Sequence, residues 1–292
     1  MLLFVFLDGV GLGVRDVRVN PFMAARTPFL ESLLGAKLSL DLADIKKPDF
    51  VFKQLDACLG YPGLPQSATG QTTLLTGKNG AEIMQGHYGP WPGPTLKQAL
   101  DAGTLFTELA NSEVVFSNAY PPGFFKALET KRQKLNVPAY AAQAAGLKLL
   151  THEDYLAGQG VSVDLTGDYL GKYDAIVLSP YEMGERLNRQ AQRASLSFFD
   201  YWPSDSVGHR GSFAEAVALI EKLDSFLAGV AAELSELTLL ITSDHGNLED
   251  KTVKTHTLSA VPLIALGPGA QAFKDALSLL DVAPAIRQML DL

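Results

Sequence analysis

The sequence predicts an α/β fold in three layers, with a mainly parallel central sheet between two layers of helices. Short, continuous apolar runs alternate with helical segments along the chain, and such runs are typical of strands that are buried on both faces. Of the 292 residues, 47% are hydrophobic and only 19% are charged, so the chain can bury a large core. Strands that alternate with helices indicate a parallel sheet covered on both sides.

Each predicted element follows from its local pattern. The strands are expected at 2–7, Val51–Cys58, Val114–Phe116, Ala175–Leu178, Leu196–Phe199, Leu237–Thr242 and Pro262–Leu266. The helices are expected at Pro21–Leu34, from about Ser67, at Leu96–Leu109, Ser212–Leu234 and 280–290. The clearest helix is the one after Ser212, because Ser212 and Glu215 form a capping box before an apolar periodic run. Two prolines and two glycines predict a turn-rich loop at Gly60–Gln66.

The segment 120–170 differs in character from the rest of the chain. It opens on Tyr-Pro-Pro-Gly-Phe-Phe and continues through a basic patch into an Ala-rich stretch at 139–145. The basic patch consists of Lys126, Lys131, Arg132 and Lys134. We interpret 120–170 as a small cap inserted into a core domain made of 1–119 and 171–292. The patch is either a solvated helix face or a contact for an anionic group of the substrate.

Composition excludes several classes of protein. The net charge of −8 argues against a nucleic-acid-binding surface. No stretch approaches the roughly 20 apolar residues of a membrane helix. The apolar N-terminus lacks a basic flank and ends in Asp8-Gly9, so a buried strand is expected there rather than a signal peptide. With Cys58 as the single cysteine, no intrachain disulfide forms. These features predict a soluble cytoplasmic protein and leave the oligomeric state open.

Aspartates and histidines cluster near the ends of predicted strands. They are Asp8, Asp205, His209, Asp244, His245 and His256. Taken singly, each is as consistent with a turn or a hydrogen-bonded pair as with a metal ligand. Sites in open parallel sheets form at the carboxyl ends of strands, so residues distant in sequence can meet at one edge. Carboxylate and imidazole ligands suit Zn²⁺, Mn²⁺ or Fe²⁺ better than Ca²⁺.

A segment rich in hydroxyl groups, Ser67 to Thr76, precedes or begins a predicted helix. Alone, it is best explained as an N-cap followed by a Ser/Thr-rich helix. Beside a metal set, a hydroxyl at a helix N-terminus becomes a candidate nucleophile, because the metal lowers its pKa and the helix amides favour negative charge. Ser67 is the first candidate and Thr69 the second.

Taken together, the motifs resemble those of the alkaline phosphatase superfamily, on the side of the cofactor-independent phosphoglycerate mutases and phosphopentomutases. The matching segments, in the family order, are Leu7–Gly11, Ser67–Gly70, Asp205–His209, Ser243–Asn247 and His256–Thr257. The resemblance implies an alkaline phosphatase-like fold and two divalent metal ions, Mn²⁺ or Zn²⁺, with a small phosphorylated substrate.

The resemblance also implies a role for each residue. Asp8, Asp244, His245 and the Ser67 hydroxyl would bind one metal, and Asp205, His209 and His256 the other. Ser67 would attack phosphorus and become a phosphoserine.

Two departures from these mutases favour hydrolysis. The mutases carry a large second domain that encloses the substrate, whereas this chain leaves about fifty residues for a cap, which should exclude water poorly. The family also often has a histidine where this chain has Gln71. We therefore expect a phosphatase or phosphodiesterase. The alternatives are a phosphosugar or phosphoglycerate mutase and a non-catalytic metal-binding relative.

Overall fold

A computed structural model describes residues 1–110, 113–171 and 176–292. Over these residues, the strands are β1 (Leu2–Leu7), β2 (Ile45–Lys47), β3 (Phe50–Leu55), β4 (Val114–Phe116), β5 (Ala119–Tyr120), β6 (Leu150–Thr151), β7 (Leu196–Tyr201), β8 (Thr238–Thr242) and β9 (Val261–Leu266). The predicted strands near 2–7, 51–58, 114–116, 196–199, 237–242 and 262–266 are all present, with ends that differ by a few residues.

The central sheet joins seven of the described strands in the order β2-β3-β9-β8-β1-β7-β4. The run β8-β1-β7-β4 is parallel throughout. Strand β9 is antiparallel to both β8 and β3, and β2 is antiparallel to β3. The prediction of an α/β fold with a mainly parallel sheet is confirmed, and the reversed direction of β9 and β2 is an addition to it.

The helices are α1 (Pro21–Ala24), α2 (Pro28–Leu34), α3 (Ser67–Thr76), α4 (Gly80–Met84), α5 (Pro94–Asp101), α6 (Pro122–Glu129), α7 (Val137–Ala144), α8 (His152–Leu156), α9 (Asp168–Gly171), α10 (Pro180–Ala191), α11 (Pro203–Arg210), α12 (Phe213–Val230) and α13 (Val282–Leu290). Alternate residues of β1 enter two separate cores. Leu2, Phe4 and Phe6 pack with α3, α5, α7 and α13 on one face. Leu3, Val5 and Leu7 pack with α1, α2, α10 and α12 on the other face. Among the described helices, none is long and apolar enough to cross a membrane.

Three predicted elements differ from the structure. The helix expected at Pro21–Leu34 is split into α1 and α2, because Thr27 precedes Pro28 and a residue before proline disfavours the helical conformation. The helix expected at Leu96–Leu109 ends at Asp101, shortly before Gly103, which has a φ of +141°. Of the strand expected at Ala175–Leu178, Ala175 lies outside the described residues, and 176–178 form no strand, with Ile176 52% exposed.

The segment 120–170 carries α6 to α8 and most of the small parallel pair β5–β6. Helix α7 packs against α3 and α5, and its Val137 and Ala141 belong to the same core as the central sheet. The four side chains of the basic patch are exposed. The division into a core domain and a cap stays a prediction.

Phe198 on β7 lies at the centre of an aromatic cluster, so its truncation tests the packing of this core. Its ring centroid lies 4.9 Å from that of Phe4 and 5.4 Å from that of Phe106, both edge-on. We expect Phe198→Ala to lower the free energy of unfolding by about 3–5 kcal/mol, because it leaves a cavity under the sheet. Urea denaturation measures this loss. Val17→Ala, at a side chain that is 61% exposed, is the control and should change it by less than about 0.5 kcal/mol. Equal effects of the two substitutions would contradict the packing described.

Candidate metal centre

The topology brings the candidate residues to one edge of the sheet. Asp8 directly follows β1, Asp205 lies in the first turn of α11 just after β7, and Asp244 follows β8 by two residues. Since β7, β1 and β8 are adjacent and parallel, their carboxyl ends lie side by side. Ser67 is the first residue of α3, which packs on one face of this sheet.

One group of side chains surrounds His245, which is fully buried. The Ser67 Oγ lies 3.0 Å from the His245 Nε2. The same nitrogen lies 3.4 Å from Asp8 Oδ1 and 3.5 Å from Asp244 Oδ2. This is the group that the family resemblance implies for the first metal.

A second group lies beside the first. Asp205 Oδ1 lies 3.3 Å from the His209 Nε2 and 3.6 Å from the His256 Nε2. The two Nε2 atoms are 3.1 Å apart. The rings of His245 and His256 are stacked, with centroids 3.7 Å apart, so the two groups are contiguous. The structure therefore brings together all seven residues that the sequence singled out.

Backbone carbonyl groups set the orientation of the three histidine rings. The Nδ1 of His209 lies 2.7 Å from the Lys254 carbonyl oxygen, and that of His256 lies 2.7 Å from the Pro65 carbonyl oxygen. The Nδ1 of His245 lies 3.3 Å from the carbonyl oxygen of Gly246. We assign the Nδ1 proton to each of these contacts, which leaves the Nε2 lone pairs directed into the cluster. Metal-binding histidines typically have this second hydrogen bond.

The charges of the cluster shift its pKa values. Burial raises the pKa of Asp8 well above its usual range, and the neighbouring Asp244 carboxylate adds to the rise. Burial lowers the pKa of His245, but Asp244 and Asp8 outweigh burial and raise that pKa to about 10. Burial, together with the charge on His245, lowers the pKa of His256 to about 4. These shifts express the repulsion among buried carboxylates, which a bound cation would relieve.

Two sets of ligand atoms are spaced closely enough to hold metal ions. In each set the ligand atoms lie within 4.8 Å of one another, and the sets are Asp8, Asp244, His245 and Asp205, His245, His256. His245 lies between them and belongs to both, whereas the family resemblance implied the first set alone. Asp8 Oδ1 is buried and has no hydrogen-bond partner among the described residues, as expected for an atom that faces a metal site. The donor set fits divalent ions.

Sequence reasoning did not identify the polar side chains that surround this centre. Gln71 Nε2 donates to Asp8 Oδ2 at 3.1 Å and to Asp244 Oδ2 at 2.8 Å. Gln71 was noticed only as a departure from the family pattern. Asn247 and Glu249, which follow the Asp244-His245 pair, are also buried against the ligand loops. Their position just after the Asp244-His245 pair was the signal in the sequence that could have identified them.

Comparison with known proteins decides the family. The profile of the Metalloenzyme superfamily matches residues 139–292, which is more than half of the chain. The chain belongs to this superfamily. A 2,3-bisphosphoglycerate-independent phosphoglycerate mutase of Mycoplasma pneumoniae is 26% identical over 270 residues, covering 85% of this chain and 50% of the relative. The metalloenzyme thus spans about half the length of that relative.

Solved structures agree with the fold. The alkaline phosphatase of the Antarctic bacterium TAB5 superposes with a TM-score of 0.57 and 12% identity, covering 99% of this chain and 98% of the phosphatase. The PH0037 protein of Pyrococcus horikoshii gives a TM-score of 0.57 at 16% identity, with 99% and 96% covered. At these identities the likeness shows the fold alone. The chain is therefore a protein of the Metalloenzyme superfamily with an alkaline phosphatase-like fold, as the motifs indicated.

The ligand assignment predicts the metal content of variants. We expect the purified metalloenzyme to bind about two equivalents of Mn²⁺, because two ligand sets are present. Asp244→Asn keeps the shape of the side chain but removes a buried charge, so it should lose about one equivalent. Metal analysis after desalting measures this. A thermal melt provides a second measurement, since ions at 100 times their Kd stabilise the fold by about 2.7 kcal/mol for each site.

Asp224 provides a matched control for this experiment. It is also a buried aspartate, but its carboxylate accepts hydrogen bonds from the Phe29 and Leu30 amides at the start of α2. Asp224→Asn should retain both equivalents. If Asp244→Asn and His256→Ala both kept full occupancy, the ligand assignment would be wrong.

Proposed function

We propose that this metalloenzyme transfers a phosphoryl group from a small phosphate ester through a phosphoserine at Ser67. The observation that carries the proposal is the position of the Ser67 hydroxyl, 3.0 Å from the His245 Nε2 within the acidic and histidine cluster. The seven proposed ligands are Asp8, Ser67, Asp205, His209, Asp244, His245 and His256. Mn²⁺ or Zn²⁺ as the ions and a cytoplasmic location belong to the same proposal.

The chain holds Ser67 in a setting that suits an anionic nucleophile. Ser67 begins the ten-residue helix α3, and the preceding Gln66 side chain makes no capping hydrogen bond. The positive end of the helix dipole therefore acts on the serine oxygen and on an incoming phosphate. When bound, divalent ions would lower the pKa of the Ser67 hydroxyl and neutralise charge on the phosphoryl oxygens.

In the first half-reaction, Ser67 gives up its proton and its Oγ attacks phosphorus. The P–O bond to the leaving group breaks, and the leaving oxygen departs as an alcohol after taking up a proton. In the second half-reaction, an acceptor hydroxyl or water gives up a proton, and its oxygen attacks phosphorus. The bond between phosphorus and Ser67 Oγ then breaks, and the serine regains its proton.

Thr69, the second candidate nucleophile, has a different task. Its Oγ1 donates to the Gln66 carbonyl oxygen at 2.9 Å, and it lies 3.4 Å from the Tyr88 amide nitrogen. These contacts tie the first turn of α3 to the loop that contains Tyr88. The geometry therefore favours Ser67.

Two acceptors remain in the proposal. The comparisons favour the mutase alternative over the hydrolase expected from the sequence, because the matching relatives are named as phosphoglycerate mutases. In that case the acceptor is a substrate hydroxyl. Hydrolysis stays a second candidate, because only about fifty residues separate the two parts of the predicted core domain. The third candidate is a non-catalytic role. It has the weakest support, because the cluster keeps all seven proposed ligands.

Replacing Ser67 tests the shared first half-reaction. We expect Ser67→Ala to lower turnover of any substrate by more than about 10³-fold, because it removes the attacking oxygen. It should also abolish the covalent phosphate that mass spectrometry detects on the peptide containing Ser67. Thr76→Ala, at the opposite end of α3, is the control and should keep both activity and the adduct. Full activity in Ser67→Ala would refute the nucleophile assignment.

The products formed identify the acceptor. Mn²⁺-loaded enzyme is incubated separately with 3-phosphoglycerate and with a chromogenic phosphate ester, while inorganic phosphate and 2-phosphoglycerate are both measured. From the comparisons, we expect formation of 2-phosphoglycerate with little release of phosphate. Release of phosphate without isomer formation would instead identify a hydrolase. Neither product from an enzyme that binds two ions would favour the non-catalytic alternative.

A further inference from the structure

We infer that Asn247 is a positioning residue that holds Asp205 in place from the loop that carries Asp244 and His245, and that Glu249 in turn holds Asn247. The inference rests on the proposed function, because it assigns these two side chains a task in a centre of two ions. The group of Asp205, His209 and His256 then depends on a side chain from the loop that carries the other group's ligands Asp244 and His245.

The contact between Asn247 and Asp205 is direct and partly buried. Asn247 is fully buried, and its Nδ2 donates to Asp205 Oδ1 at 2.6 Å and to the Asp205 backbone oxygen at 3.2 Å. Asp205 Oδ1 is also the atom that faces His209 and His256. The amide therefore determines where that ligand oxygen lies. If the Asn247 side-chain amide were flipped, its Oδ1 would face the Asp205 carboxylate. One orientation of the amide is therefore favoured.

The Asn247 side chain can lie against the backbone of α11 only because Gly208 has no side chain. A Cβ atom at Gly208 would lie 2.5 Å from Asn247 Cγ, which is much closer than non-bonded atoms approach. Gly208 lies between Asp205 and His209 on α11, so the helix that supplies two proposed ligands rests directly on the Asn247 side chain.

Glu249 joins Asn247 to the other ligand loops. Its Oε2 accepts hydrogen bonds from the backbone N–H groups of Asn247, at 2.7 Å, and of Gly11, at 3.0 Å. Its Oε1 accepts one from the Thr257 hydroxyl. Glu249 is 1% exposed, and a Cβ atom at Gly11 would lie 2.5 Å from its Cδ. A single carboxylate thus connects the loop after β1, the loop after β8 and the segment that contains His256.

This arrangement predicts an unequal effect on the two metal sites. Removing the Asn247 amide frees Asp205 and so loosens the group of Asp205, His209 and His256. Asp8 and Asp244 keep their own contacts with Gln71. Loss of a hydrogen bond that orients a ligand typically lowers metal affinity about 10–100-fold.

Calorimetric titration of the metal-free full chain with Mn²⁺ tests the inference without an activity assay. The wild type should bind two equivalents. Asn247→Ala should bind the first equivalent with unchanged affinity and the second about 10–100-fold more weakly. The control is Asn188→Ala, which removes another buried asparagine that donates to two backbone oxygens, those of Val230 and Glu233 at 2.7 and 2.8 Å. This control should lower the melting temperature but leave both affinities unchanged.

Two results would overturn the inference alone. In the first, Asn247→Ala binds both equivalents as tightly as the wild type. In the second, it weakens both equally, which is the sign of a merely structural role. If Asn247→Ala does not fold, Asn247→Ser replaces it under the same criteria, since its hydroxyl is one bond too short to reach Asp205 Oδ1. A wild type that binds fewer than two equivalents would overturn the two-ion centre itself, and that failure is seen before any variant is tested.

Discussion

Three aspartates, Asp8, Asp205 and Asp244, lie close together at the carboxyl edge of β1, β7 and β8, and their mutual repulsion is the constraint around which the site is built. Two like charges 4 Å apart repel by about 4 kcal/mol at an effective dielectric constant of about 20. Burial raises the pKa values of Asp8 and Asp244, and repulsion from the neighbouring carboxylates adds to the rise. Positive charge close to the three aspartates would offset this cost.

Neutral amides surround the carboxylates instead of lysine or arginine. Gln71 bridges Asp8 and Asp244, the Gly9 amide donates to Asp244, and Asn247 donates to Asp205. These donors satisfy carboxylate oxygens and fix their directions without neutralising them. Because no fixed cation of the described residues pairs with the three aspartates, their charge stays available for mobile cations.

Features that depend on local pattern were predictable from the sequence, and those that depend on distant contacts were not. The apolar run at 2–7 and the capping box at Ser212 determine β1 and the start of α12 locally. By contrast, β9 is an apolar run whose pattern is the same in either direction, so its antiparallel pairing could not be read from it. The ligands were found because they lie in compact motifs at strand ends. Glu249 was missed because it accepts a hydrogen bond from Gly11, which is 238 residues away in sequence.

The two ligand groups differ in exposure, and this difference bears on the fate of the phosphoryl group. Ser67, Asp244 and His245 are almost completely buried, whereas the side chains of Asp205 and His209 are 21% and 33% exposed. A phosphoserine would therefore form at the closed side of the centre, and its acceptor would approach from the side of His209. Water reaches that side unless a bound substrate or another part of a protein covers it. A hydrolase needs this side open during the second half-reaction, and a mutase needs it closed. In the proposed mechanism the buried Ser67 would therefore serve either reaction, and the covering of His209 would be the structural variable that separates them.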